Sequence, residues 1–295
     1  MLCGPNAVTV RDVDPIALSA DAAAAWHAAW LAALGLRSER TETVWRALDP
    51  PPFIYWTLIT LARTVSLSEF RNVHGTVCDA WGTLDLTSRT SEERDRDGFV
   101  ERAREPWFVR APGPLPDEAP PKELEFVRVS TPREVAEFEA AAVRGFRGDD
   151  AALESGTIHP ATILDDERMT MLTGRVAGEA VAAAMSYRTE VAIGIYGVTT
   201  VEAARGRGYA SALTRALIDP AVSITLSPSP EAENLYRRLG FPSLHSRSHH
   251  LPVRFLRKLA PASGFRKIHH TCSGLSGRKL FDRAVMGQFE DFFSN

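Results

Sequence analysis

The sequence predicts an α/β fold, and three observations carry that prediction. Alternating apolar and polar residues mark strands at 124–129, 169–173 and 180–188. A capped amphipathic helix follows the first of these, starting at Thr131. A fourth strand at 191–198 runs directly into a glycine-rich turn and a second helix.

Composition sets the frame for these elements. The chain has 295 residues, 44% of them hydrophobic and 24% charged, with a formal net charge of −3. That is the makeup of a soluble globular chain with two cores and a tail, without the basic balance that nucleic acid favours. The longest apolar run, 53–62, is interrupted by Thr57 and Thr60 and is too short to cross a bilayer. The first residues lack the basic start and apolar core of a secretory signal, so a cytoplasmic location and no membrane partner are expected. Cys3, Cys78 and Cys272 are widely spaced and odd in number, which predicts free thiols. The excess of arginine over lysine points to a GC-rich, bacterial coding sequence.

In the first half, Asp21 is placed to cap a helix carrying Trp26, Trp30, Leu31 and Leu34 at helical spacing, with Gly35 ready to end it. Residues 53–61 and 107–110 read as strands, and the charged stretch 91–104 as including a surface helix. No catalytic constellation is visible here. Residues 111–121 hold five prolines, which favour extended chain and cannot donate to ladders. The expected organisation is therefore an N-terminal domain at 1–110, a linker at 111–121, a second domain at 122–251 and a tail at 252–295.

Past the linker, Glu125, Val127 and Val129 alternate with Leu124, Phe126 and Arg128 as in a half-buried strand. Thr131 is a good N-cap, Pro132 suits the first helical turn and Glu134 completes a capping box. Val135, Phe138 and Ala142 then share one face before Gly145. Residues 177–179 form the turn between the next two strands. The fourth strand leads to Arg205-Gly206-Arg207-Gly208-Tyr209-Ala210-Ser211, and then to a helix with Leu213, Ala216 and Leu217 on one side and Asp219-Pro220 to stop it.

Helix-start N–H groups are unpaired and carry partial positive charge. Glycines that let the main chain approach closely would make them a pyrophosphate cradle, which Arg205 and Arg207 would reinforce. The same loop, taken alone, also fits a tight structural turn. It lacks the Gly-Lys-Ser/Thr of a P-loop and the glycine spacing of a dinucleotide fingerprint.

The run from Gly197 to Leu213 resembles the acetyl-CoA motif of the Gcn5-related N-acetyltransferases (GNAT), whose Arg/Gln-x-x-Gly-x-Gly/Ala pattern falls on Arg205, Gly208 and Ala210. Downstream, residues 229–241, ending Asn234-Leu235-Tyr236-Arg237-Arg238-Leu239-Gly240-Phe241, are similar to the family's second signature, with a strand-like segment at 222–226 between the two. The resemblance implies a mixed, strongly twisted sheet flanked by helices, with acetyl-CoA as acyl donor entering between strands splayed after 191–198. It implies that main-chain groups of Val198, Thr199 and Thr200 pair with the pantetheine arm, and that Gly206, Arg207, Gly208, Tyr209, Ala210 and Ser211 hold the pyrophosphate. Tyr236 would be the general acid for the departing thiolate. Without the resemblance, Tyr236 reads as a buried helix aromatic beside Leu235 and Leu239.

Two positions depart from the family pattern. Glu202 stands where the family has proline, and Ser229 where it often has a cofactor-contacting asparagine, though Ser229 still suits an N-cap before Pro230. The general base is open between Glu202 and Glu190, which flank the fourth strand. The expected activity is transfer of acetyl from acetyl-CoA to a primary amine of a small molecule or protein. The alternative is an acyl-CoA-binding sensor without turnover.

The first half resembles the degenerate first half of bacterial tandem members of the family; an unrelated helical cap is the other reading. Beyond Leu251 the tail carries eight Lys or Arg against three acids, with Phe281, Val285, Phe289 and Phe292 near helical spacing, which predicts a docking helix. His249-His250 and His269-His270 are adjacent pairs that do not share a face, so no metal site is expected. Arg205, Arg207 and the basic tail lack the interleaved aromatics of a stacking platform, so no nucleic-acid partner is expected. A homodimer is left open.

Overall fold

A computed structural model describes residues 14–52, 54–84, 99–148, 156 and 158–252. The predicted tail helix, His269-His270, Cys3 and Cys272 lie outside them.

The first helix, α1 (Pro15–Ala33), starts at Pro15 because Asp14 caps it, its carboxylate accepting from the Ile16 N–H at 2.9 Å. The expected cap, Asp21, instead sits inside the helix and pairs with Arg40. Pro at the first position supplies a preset φ and misses no bond there. Gly35, at φ 73°, ends the helix as expected, with Gly35 N–H on Ala32 O and Leu36 N–H on Leu31 O, a Schellman arrangement. Small residues at Ala20 and Ala22 to Ala24 bring this helix close to the sheet, and burial runs round most of its surface.

Four short strands follow: β1 (Ser38–Arg40), β2 (Val44–Ala47), β3 (Leu58–Thr60) and β4 (Val77–Asp79). The expected strand at 53–61 is only three residues long, because the chain first turns, with Tyr55 N–H donating to Pro52 O at 2.9 Å; Phe53 lies outside the described residues. The long strand β5 (Phe99–Arg110) occupies part of the stretch expected to include a surface helix. Residues 99–104 pair with a late strand, tertiary pairing overriding their charged character, while 91–98 lie outside the described residues.

Beyond the proline segment come β6 (Glu125–Arg128), α2 (Pro132–Arg147), β7 (Met169–Val176), β8 (Glu179–Arg188), β9 (Ala192–Thr200), α3 (Tyr209–Leu217), β10 (Ser223–Leu226), α4 (Glu233–Arg238) and β11 (Ser243–Pro252). The Thr131–Glu134 capping box forms, worth about 1 kcal/mol. The helix continues past Gly145 to Arg147, and Gly148 ends it at φ 112°. β6 is more exposed than its alternation predicts because it is an edge strand paired only with β7; Leu124 and Val129, just outside it, are the buried residues. In α3, Ala216 faces solvent and Ala212 is buried with Leu213 and Leu217.

Among the described residues, the eleven strands form one mixed sheet in the order β1-β2-β3-β4-β11-β5-β10-β9-β8-β7-β6. The β3–β4 and β9–β10 pairs are parallel, the rest antiparallel. β5, from before the proline segment, lies between β10 and β11, from after it. The proline segment itself is docked: Arg110 donates to the carbonyl of Gly113 at 2.8 Å, and Gly113 N–H donates to Pro220 O at 2.8 Å.

Alternating side chains of the central strands feed two cores. On one face α1 and α2 pack over Met171, Ala183, Met185, Tyr187 and Trp107. On the other α3 and α4 pack over Leu172, Val181, Ile193, Ile195, Phe108 and Ile224. Among the described residues, no helix is long and apolar enough to cross a membrane. Cys78 is a buried free thiol, pushed up to about 12 by burial.

Candidate active site

β10 pairs with only the beginning of β9, Ser223 with Ala192, Ile224 with Ile193 and Thr225 with Gly194. Past Gly194 the two strands separate, and β9 continues to Thr200 held by β8 alone. A bulge helps them part: Ala183 faces Thr199 but Met185 faces Tyr196, so β9 carries one extra residue. Gly197 sits in that bulge at φ 61°, and a Cβ there would come within 2.6 Å of the Met185 methyl. The β10-facing edge of β9 after Gly194 therefore offers main-chain groups with no ladder partner, which an extended arm can engage as an added strand. Val198, Thr199 and Thr200 lie on this stretch.

The edge leads into the glycine turn. Gly206 and Gly208 both take left-handed backbone, φ 77° and 82°, which favours glycine at each. Gly208 is the N-cap of α3, and no side chain caps the helix. The first intrahelical bond runs from Ala212 N–H to Gly208 O, so the N–H groups of Tyr209, Ala210 and Ser211 have no partner within the helix. Gly206, Arg207 and Gly208 are exposed, and Ala210 and Ser211 partly so. An uncapped, accessible helix start preceded by two left-handed glycines fits a pyrophosphate.

Arg205 acts differently from its sequence expectation. Its Nε donates to Thr200 O at 3.1 Å and its Nη2 to Gly145 O at 2.8 Å, so the guanidinium fastens the end of β9 to the last turn of α2. Tyr209 turns its ring into the core and donates to Glu123 at 3.0 Å, leaving only its main chain for a phosphate.

Tyr236 lies on α4 in the second core, edge-on to Phe241. Burial pushes its phenol up to about 12, partly opposed by the Thr214 hydroxyl of α3. The group is therefore protonated at neutral pH and able to donate. Ser229 is exposed in the turn before α4 and does not cap it; Ala232 takes the N-cap position and makes no side-chain bond. The reason is the intervening turn, in which Ala232 N–H donates to Ser229 O.

The two carboxylates considered as base stand at opposite ends of β9. Glu202 is exposed in the short turn after Thr200, on the cradle side, and Glu190 is exposed before Ala192, on the closed side. The acid bordering the splay is Glu105 of β5. It lies beyond the last β10 pairing, Leu226 with Phe108, and next to Pro106, whose carbonyl accepts from Ser227. Nothing in the sequence marks Glu105, because the strands around it come from both halves of the chain.

Residues 136–241 match the family model described as the acetyltransferase (GNAT) family. This segment belongs to that family. The matched segment runs from α2 through the glycine turn to Tyr236 and Phe241. Among solved structures, a GCN5-related N-acetyltransferase from Kribbella flavida is similar at 17% identity, covering 77% of this chain and 94% of that one with a TM-score of 0.51. That coverage exceeds the GNAT segment, so the shared fold extends into the first half. A GCN5-related N-acetyltransferase from Sphaerobacter thermophilus matches at 18% identity over 60% of this chain and 59% of its own, with a TM-score of 0.41. No curated protein matches the chain.

Proposed function

We propose that the chain transfers acetyl from acetyl-CoA to a primary amine of a small molecule or protein by direct attack. The observation that carries this reading is the open edge of β9 beyond Gly194, which leads without interruption into the uncapped start of α3. Main-chain groups of Val198, Thr199 and Thr200 bind the pantetheine arm. Gly206 to Ser211 bind the pyrophosphate, with Arg207 adding charge and Arg205 holding the loop in place. Ser229, exposed at the mouth beside α4, contributes a hydroxyl to the same arm.

In the reaction, the amine nitrogen attacks the thioester carbonyl, a C–N bond forms and the C–S bond breaks. Tyr236 gives its proton to the departing sulfur. The nitrogen loses a proton through water, with Glu202 the carboxylate on the cradle side. Backbone N–H groups of β9 polarise the carbonyl. The reading places the reaction in the cytoplasm of a bacterial cell.

Thiol release from acetyl-CoA over an amine panel tests this, with Tyr236→Phe alongside. Release by the wild type that falls sharply in the variant supports it. Acetyl-CoA binding with no release from any amine favours a sensor.

A further inference from the structure

The apex of the splay is roofed by the first half. Tyr196, two residues past the last β9–β10 pair, lays its ring over Gly194, where a Cβ would meet the phenol oxygen at 2.0 Å. Trp26 of α1 stacks on that ring at 4.4 Å. From Trp26 the aromatic contacts continue through His27 to Trp56, and Trp56 lies against the guanidinium of Arg247 at 4.6 Å. Trp107 faces the same guanidinium at 4.2 Å, and Glu105 accepts from its Nη2 at 2.9 Å. The Arg247 charge reaches both Tyr196 and His27.

The polar atoms in this chamber are unbalanced. The indole N–H of Trp26, the Nε of Arg247 and the hydroxyl of Tyr196 are all buried without a hydrogen-bond partner. Two of the three can only donate, and a core normally tolerates few such groups. The Trp56–Trp107 pair is already filled by the chain's own cation, so it is closed to a cationic substrate. A chamber of unmatched donors beside a 7%-exposed arginine side chain complements an anion.

We propose that the acceptor amine carries a carboxylate, and that Arg247 and Tyr196 receive this carboxylate under α1. This rests on the acetyl-transfer reading for calling the bound molecule an acceptor; the recognition itself does not need turnover. Arg247 is then a specificity-determining residue supplied by the last described strand, against a roof supplied by the first half.

The test titrates the full chain with common amino acids, each paired with the amine lacking its carboxyl group, such as phenylalanine with phenethylamine. Indole fluorescence reports binding, since Trp26, Trp56 and Trp107 line the chamber. At least one amino acid is expected to bind about tenfold more tightly than its amine. That preference is expected to vanish in Arg247→Met and to shrink in Tyr196→Phe, which removes one hydroxyl and keeps the stacked ring. Equal affinity for both members of every pair, no binding by any amino acid, or a preference unchanged in both variants would overturn the proposal. Acetyl-CoA is titrated in the same samples, so loss of the donor site and loss of carboxylate recognition are read separately.

Discussion

Arg205 donates to the carbonyl of Gly145 at 2.8 Å, and so joins the glycine turn to the end of α2. The contact is close on both sides. A Cβ at Gly145 would come within 2.3 Å of the Thr199 hydroxyl, so α2 reaches β9 only because residue 145 has no side chain. The latch sets where Thr200 ends and where the cradle begins, although the arginine itself faces the protein.

Replacing Arg205 by lysine keeps the charge but cannot serve both carbonyls from one planar group. Acetyl-CoA affinity in Arg205→Lys is expected to fall about tenfold, the loss of one charged hydrogen bond. Calorimetric titration checks this, and an unchanged affinity would show that the latch does not shape the cradle.

Tyr236→Phe is expected to lower kcat by about 10²- to 10⁴-fold, the usual range for a lost general acid, while leaving acetyl-CoA binding nearly unchanged. Because burial pushes this phenol up to about 12, it keeps its proton throughout the neutral range. The wild-type rate should therefore show no alkaline loss assignable to Tyr236 below about pH 10. A steep fall in kcat near pH 8 that disappears in the variant would contradict the assignment.

His27 is buried beneath the aromatic chamber, its Nδ1 2.7 Å from Ala23 O, and burial pushes it down to about 3. The unfolded chain takes up the proton near the ordinary histidine value, so between pH 6.5 and about 3 the unfolded state binds more protons. Stability from this group is complete above that window and is lost as pH falls through it, by at most about 1.4 kcal/mol per pH unit. Urea unfolding at several pH values should show a shallower acid loss in His27→Phe than in the wild type. Identical slopes would mean that the histidine is not held neutral.

The sheet order makes a fourth claim. A fragment of residues 122–252 would lack β4 and β5, leaving β10 without β5 and β11 without both its neighbours. Such a fragment is expected to unfold without cooperativity, and to regain a cooperative transition when residues 1–121 are supplied as a second chain. Cooperative folding and full acetyl-CoA binding by the fragment alone would show that the first half is dispensable.

That interleaving also explains what the sequence could and could not reveal. The capping box at Thr131 and Glu134 and the Gly206–Gly208 turn are local devices, written in neighbouring residues, and both were legible. The cap of α1 is less legible, since Asp21 and Asp14 are equally good caps by type and Pro15 after Asp14 decides between them. β1, β2, β4 and β11 are short or polar and take their structure from partners far along the chain, as His249 does opposite Cys78. Glu105, Arg247 and Tyr196 meet for the same reason, so no spacing rule joins them. Arg205 stands out by its motif, but its partner Gly145 depends on how α2 crosses β9.

The most direct test of the central claim is calorimetric titration of acetyl-CoA into the wild type and Gly208→Glu. Gly208 has left-handed backbone, and the nearest atom to an added Cβ is Pro121 Cγ at 3.7 Å, so the glutamate enters open space at the helix start with strain of about 1–2 kcal/mol. Its charge then opposes the pyrophosphate. Saturable one-to-one binding by the wild type, lost in a variant that still unfolds cooperatively, is the expected result. Absence of binding by the folded wild type would contradict the acetyl-CoA reading and leave the glycine turn as structure alone.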